Sequence, residues 1–317
     1  MIQLNLGDEP IELTNERAAR LPMAIKAFNT HGPSDANFKD ILDKGYQVAR
    51  DQLRERQHGK CAFCEKSEDA FKRPVEHFRP KKGAEDLING KWIFVNTHYW
   101  WLTWTWTNLY FTCDECNRSG HKGSRFPIEL GTSRVQTPPS PVQDPIPPQF
   151  YVLGSERNLL IDPRCDDPFD HLEWTPVDRT KPPRQWSWTV TGRDSRGTMT
   201  VDVLGLMERE DEVNRHLQAI SLIWNQIAGH LSASRLTDAQ KCWDDLVTTY
   251  VDDRKQPFRA AAWWALDSLC DQTTQRDNGF RPPSKPMVTQ KKSDYDTCSI
   301  QILEGLEAVR KRPGMYI

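Results

Sequence analysis

Two short stretches of the chain carry close cysteine pairs, Cys61-x-x-Cys64 in "CAFCE" and Cys113-x-x-Cys116 in "TCDECN". A C-x-x-C turn points two sulfurs to one side, so each pair supplies half a tetrahedron. Two such knuckles complete a four-thiolate site with no open position, the coordination of a structural Zn2+. That site would tie together segments about fifty residues apart and act on folding as a cross-link does. A redox C-x-x-C normally stands alone beside a strand and a helix, and two unliganded pairs would be a coincidence. The other cysteines, Cys165, Cys242, Cys270 and Cys298, are isolated and read as small hydrophobes.

Side chains able to do acid–base and metal chemistry stand between and just beyond these pairs. "RPVEHFRPKKG" places Glu76 and His77 side by side, followed by Arg79, Lys81 and Lys82. Asn108 precedes the second knuckle, and Asn117, Arg118, His121 and Lys122 follow it. Taken singly each has a plain reading: Glu76 can pair with a nearby arginine, and Asn117 can be a turn residue. Their joint position around the two knuckles is what points to a reaction centre.

The arrangement resembles the HNH endonuclease family, whose ββα-metal fold is often pinned by zinc on two C-x-x-C pairs. Glu76-His77-x-x-Pro80 matches the first motif element, Asn108 in "TNLYFTC" the middle one, and Asn117 in "CDECNRSGHKG" the last. The resemblance implies His77 as general base toward an attacking water, a task that suits an imidazole. It implies Asn108 as the residue that orients the His77 ring by a hydrogen bond. Glu76 and Asn117 would bind one divalent cation, Mg2+ or Mn2+, through oxygen, with His121 as the alternative ligand. Lys81, Lys82, Arg118 and Lys122 would contact phosphates. Many members carry Asp where this chain has Glu76, so the cation's seat must differ slightly.

The elements that must position these groups follow from pattern. Residues 1–60 read as a helical lead-in: Phe38, Ile41, Leu42, Tyr46, Ala49 and Leu53 recur at helical spacing, with Ser34 or Asp35 as cap. Residues 61–130 hold the nuclease-like core, and the Pro-rich 131–150 is a linker. Residues 151–276 form an α+β region, mostly helical after 207; within it "SWTVTGRDSRGTMTVDVLGL" reads as two strands joined by a turn. "DDPFDH" reads as a turn and helix start rather than a second metal site. The tryptophans of "YWWLTWTWTNLYF" read as core filling, with a base-stacking platform as the sharper alternative. Residues 277–292 are a second linker, and 293–317 a tail. The fold class expected is α+β, a zinc-stabilised ββα-metal core in mainly helical surroundings.

With 42 Lys and Arg against 44 Asp and Glu, the net charge is −2, so nucleic-acid binding must come from local patches. The first residues lack a signal peptide's basic and apolar regions. The aromatic stretch is too short and too rich in Thr to span a bilayer. A cytoplasmic protein with no membrane association is expected, and eight cysteines there favour metal binding over disulfides.

The order "CAFCE", "VEHFRPK", "YWWLTWTWTNLYFTCDECN", "LLIDPRCDDPFDHLEW" and "VLGL" narrows the resemblance to the HNH subunit of Septu-type and retron-associated anti-phage systems. Members of that family work beside an ATPase of the ABC or SMC-like type, which the resemblance implies as a partner. The chain has no Gly-rich Walker A loop of its own. "SDYDTCSIQILEGLEAVRKRPGMYI" closely resembles the N-terminal arm of the DNA gyrase B protein. It carries Tyr295 and an apolar stripe of Ile300, Leu303 and Leu306 that needs a surface. Two readings stand: a tail that docks on gyrase B, and a fusion scar. For the whole chain the leading expectation is a metal-dependent nuclease acting on DNA, with RNA as the second substrate. The alternative is a non-catalytic zinc-stabilised module that binds nucleic acid or protein.

Overall fold

A computed structural model describes residues 1–69, 74–95, 98–151, 153 and 156–288. The chain opens with strand β1 (Gln3–Leu4) and helices α1 (Ile11–His31), α2 (Ala36–Leu42) and α3 (Arg50–Arg56). Of the two caps the sequence offers for α2, Asp35 is used, its carboxylate accepting from the Phe38 amide at 2.9 Å. Strand β2 (Val75–His77) then pairs antiparallel with β5 (Leu109–Phe111), setting Val75 opposite Phe111, Glu76 opposite Tyr110 and His77 opposite Leu109.

Between those partners the chain makes a hairpin, β3 (Ala84–Ile88) and β4 (Lys91–Val95). Asn89 and Gly90 turn it with positive φ at both positions, as a tight two-residue hairpin loop requires. Leu87, Ile88, Ile93 and Phe94 remain exposed. After β5 comes the one-turn helix α4 (Asp114–Asn117). This order gathers both cysteine pairs and the Glu76-His77 dipeptide into one small unit.

The tryptophans fasten the N-terminal helices to that unit. Trp100, Trp101 and Trp104 are fully buried, and Phe28 of α1 stacks on Trp100 with ring centroids 5.0 Å apart. Buried indoles need an acceptor: Trp104 Nε1 donates to the Lys44 carbonyl at 2.9 Å, Trp106 Nε1 to Gly7 at 2.8 Å, and Trp101 Nε1 to Phe150 at 3.1 Å. The cluster is core, and no ring face is left for a base.

The C-terminal part holds α5 (Pro168–His171), β6 (Leu172–Pro176), β7 (Trp188–Gly192), α6 (Ser195–Leu204), α7 (Glu210–Ser232), α8 (Leu236–Val247), α9 (Arg259–Leu269), α10 (Gln272–Asp277) and β8 (Met287–Val288). The two strands expected in 187–206 are one strand and one helix. β7 pairs with the preceding β6, while Asp194 caps α6 by accepting from the Gly197 amide at 2.7 Å. Gly197, Thr200, Val201 and Leu204 form its buried side, a helical spacing inside a Thr- and Val-rich stretch that reads as strand by composition. In "DDPFDH", Asp167 caps α5 and Asp166 pairs with Arg196, as turn chemistry predicts.

Glu65, the residue after the first knuckle, joins the two parts. It is buried at φ 62°. Its carboxylate accepts from the amides of Arg259 at 3.1 Å and Ala260 at 3.2 Å, the open first turn of α9, and pairs with the Met1 ammonium at 2.9 Å. Burial pushes this carboxyl up, but the Met1 ammonium, Lys60 and Arg259 outweigh it and hold it below its ordinary value. Its stabilisation is therefore complete above the unfolded carboxylate pKa of about 4.3 and is lost as acid titrates through the lowered folded value. Glu65→Gln should cost about 3 kcal/mol at neutral pH in a denaturant titration. The gap to wild type should close in acid, and equal stabilities at pH 7 would refute the linking role.

Candidate metal centre and the Glu76-His77 site

Both knuckles are built from short-range backbone bonds. In the first, the Cys61 amide donates to Lys66 at 2.9 Å and the Glu65 amide to Cys61 at 3.1 Å; Ala62 donates to the Phe111 carbonyl at 3.0 Å and so docks the turn on β5. In the second, Cys113 is the N-cap of α4, and the Cys116 amide points at its sulfur at 3.4 Å. The Lys122 amide donates to the Cys116 carbonyl at 3.2 Å, folding the following loop back.

The four sulfurs of Cys61, Cys64, Cys113 and Cys116 lie within 4.8 Å of one another and all are buried. Cys64 Sγ and Cys113 Sγ are 3.7 Å apart. Zinc–sulfur bonds of about 2.3 Å at tetrahedral angles set sulfurs about 3.8 Å apart, so the set fits a metal ion such as zinc. Lys66 bolts the knuckles to α7, reaching Glu115 at 3.1 Å and Glu212 at 3.0 Å. Cys242 and Cys270 are free thiols. Cys298 lies outside the described residues.

Glu76 and His77, successive strand residues, leave opposite faces of the β2–β5 pair. His77 Nε2 donates to the Thr103 carbonyl at 3.0 Å. That bond fixes the tautomer and leaves the Nδ1 lone pair for a proton. The Tyr46 ring stands edge-on to the imidazole, centroids 4.5 Å apart. Burial, with Lys81 and Lys122 nearby, holds His77 well below the ordinary imidazole range, so the ring is neutral. Asn108 does not bond the imidazole, contrary to expectation. Its amide clamps the loop after His77 instead, Oδ1 accepting from the Arg79 amide at 2.8 Å and Nδ2 donating to the Arg79 carbonyl at 3.0 Å.

Lys122 also departs from its expected place at a phosphate. It is completely enclosed, with Nζ 3.2 Å from Glu76 Oε1 and 3.4 Å from the His77 carbonyl. Burial pushes the Glu76 carboxyl up, and Lys122 opposes that shift. Lys81 Nζ lies 3.8 Å over the Tyr46 ring and 3.3 Å from Asp43, and Lys82 pairs with the same carboxylate. Burial brings Lys81 down to about 8, against the pull of Asp43 and Glu76. Tyr46 is raised by burial, then by the charges of Asp43 and Glu76. Tyr46 and Lys81 thus feel both Glu76 and His77.

Asn117, half-buried, ends α4. Arg118 is exposed and pairs with Glu208 at 2.6 Å. His121 Nε2 lies 3.1 Å from Glu208 and 3.0 Å from Arg118, its ring against Gly205. Among the described residues, no cluster of three His, Cys, Asp or Glu ligands contains Glu76, His77 or His121. Tyr295, Ile300, Leu303 and Leu306 of the tail lie outside the described residues. Sequence reasoning missed Thr103 and Asp43, which carry no signal of their own, and saw Tyr46 only as an apolar position of a helix.

The chain is a mixed helix and sheet protein whose four-cysteine cluster is fit for a metal and adjoins a buried carboxylate–imidazole dipeptide. Along almost its whole length it is similar to Septu protein PtuB of Bacillus mycoides, 27% identical over 324 aligned positions that cover 98% of this chain and 96% of that one. It is also 28% identical over 149 residues to Septu protein PtuA of the same organism, a match covering 47% of this chain and 18% of that one. A 30-residue match, 67% identical, to the DNA gyrase B protein of Halalkalibacterium halodurans covers 10% of this chain and 5% of the gyrase protein. The similarity to a Septu protein read from the motifs thus covers nearly all of both chains. No family model matches the chain, and no solved structure does. Among the described residues no helix is long and apolar enough to cross a membrane.

Native mass spectrometry of the purified chain should find one metal ion bound, and Cys64→Ser with Cys113→Ser should lose it together with the cooperative thermal transition of the core. A metal-free wild type with that transition intact would refute the centre.

Proposed function

We propose that this chain is a metal-dependent HNH-type endonuclease, the effector of a bacterial anti-phage defence system, pinned by Zn2+ on its four cysteines. The observation that carries the reading is the His77 imidazole. It is kept neutral by burial, its Nε2 is committed to Thr103, and its Nδ1 is left as a base, with the buried Glu76 carboxylate on the opposite face of the same strand pair. The antiparallel β2–β5 pair followed by α4 supports a ββα core.

In this reading His77 Nδ1 takes the proton of the water that attacks phosphorus, and a P–O bond of the nucleic-acid backbone breaks. Glu76 and Asn117 would hold a divalent cation, Mg2+ or Mn2+, which would supply charge stabilisation at the leaving oxygen. One carboxylate and one amide oxygen would suit such an ion, which favours hard oxygen donors. Lys122 holds Glu76 in place, and Asn108 fixes the backbone that follows His77. Lys81 and Lys82 meet the substrate phosphates once they leave Asp43. DNA is the first substrate to test and RNA the second. The lack of a phosphate-binding loop, together with the similarity to a segment of the longer Septu protein PtuA, supports a separate ATPase partner.

A second reading has one observation behind it. Lys122 already meets the charge of Glu76, as it would in a non-catalytic, zinc-stabilised binding module. Cleavage separates the two. With Mg2+ or Mn2+ present, His77→Ala should lower cleavage of DNA or RNA by about 100-fold or more. The acid limb of the wild-type rate should lie below the ordinary imidazole pKa of about 6.5. A variant that cuts as well as wild type, or a wild type that cuts neither substrate with its partner present, favours the module.

Asp43 occupies both lysines with a carboxylate. Asp43→Asn should therefore tighten nucleic-acid binding several-fold at low salt and steepen its salt dependence by about one unit of slope. In wild type affinity should fall as pH rises through about 8 and Lys81 loses its proton, and in the variant it should fall at lower pH, because the Asp43 charge that raises Lys81 is gone. Anisotropy titrations across salt and pH read both effects, and an unchanged salt slope in the variant excludes the clamp.

A further inference from the structure

A metal tetrathiolate carries a surplus of negative charge, since four thiolates outweigh one divalent ion. Buried as this one is, it needs a counter-charge and hydrogen-bond donors around its sulfurs. Lys66 is one nearby cation, but its ammonium is committed to Glu115 and Glu212. Arg209 is another. It precedes α7, is 7% exposed, and its Nε and Nη2 are buried with no acceptor, the cysteine sulfurs included, so the guanidinium must turn toward them in the loaded site. Two orphaned guanidinium donors are costly in any fold. Arg209 and Cys64 line the same small cavity of about 20 Å3, together with Phe63 and Glu65 of the first knuckle. Burial works against the charge of Arg209, and the sulfurs of Cys116, Cys64 and Cys113 favour it. A thiol is a weak acceptor; a metal-bound thiolate is charged and accepts well.

We propose that Arg209 is the positioning residue of the four-cysteine centre, its guanidinium donating to the cysteine sulfurs and supplying the counter-charge of the loaded site. The orphaned donors are then satisfied when the metal is bound. Metal loading also becomes a bond between the knuckles and the start of α7, so the C-terminal helices are fastened to the core through the ion. This inference rests on the metal centre and is independent of whether the chain cuts nucleic acid.

The test uses the full chain loaded with Co2+ in place of zinc, compared with Arg209→Met and Arg209→Lys. Arg209→Met should release metal to a chelator about 10-fold faster, and its sulfur-to-cobalt charge-transfer band should move to lower energy because the thiolates lose their donors. Arg209→Lys keeps the charge and should hold the metal within about threefold of wild type, yet its band should also shift, because the forked N–H geometry is lost. Release and spectra identical to wild type in both variants overturn the proposal. If Arg209→Met does not fold, the band of Arg209→Lys decides: an unmoved band overturns it. A wild type that takes up no Co2+ overturns the centre and this inference together, whereas normal uptake with indifferent variants overturns the inference alone.

Discussion

Four sulfur atoms packed within 4.8 Å in the interior form a set fit for a metal ion, because closely spaced thiolates cannot share a dry site unaided. That set organises the molecule. It forces residues 49 apart in sequence to meet, and β2 and β5 then pair where the two knuckles leave them. Cys113 is both a member of the sulfur cluster and N-cap of α4, so a helix of four residues, far too short to stand alone, begins at the cluster. Asn117 and Lys122 inherit their places from that start.

Burial then decides the charges around the dipeptide. His77 is held neutral because water is excluded and two ammonium groups are near. Glu76 is opposed by the same exclusion and answered by Lys122. The outcome is a base and a carboxylate on opposite faces of one strand pair, linked through Tyr46 and Lys81 at its end. The N-terminal helical region supplies Tyr46 and Asp43, so it forms a wall of the site as well as a lead-in to it.

Much of this is legible in the sequence because it is local. Paired C-x-x-C turns determine their own geometry, Asp35 and Asp167 cap helices by contacts within three residues, and the tryptophans read as core, a reading their burial settles against the base-stacking alternative. What stays hidden is long-range. The acceptor for His77 is a backbone carbonyl 26 residues away, and any residue type could have provided it. Asn108 is visible as a functional position, yet its partner is the main chain of Arg79, a choice set by loop geometry. Lys122 looks like a surface cation because lysines usually are; its enclosure follows from the turn that the Cys116 carbonyl imposes. The helix after Asp194 reads as strand because Thr and Val carry strand propensity, while its buried side repeats at helical intervals.

The hairpin between β2 and β5 is a loop whose two ends are already fixed by the cluster and the strand pair. Closing a longer loop between fixed ends is cheap, about 0.6 kcal/mol for each doubling. Its outer residues, Ile88, Ile93 and Phe94, bear none of the load of the core. This is accordingly the segment where lineages can diverge most freely: it can grow, shrink or change its surface chemistry while the dipeptide it departs from stays in register.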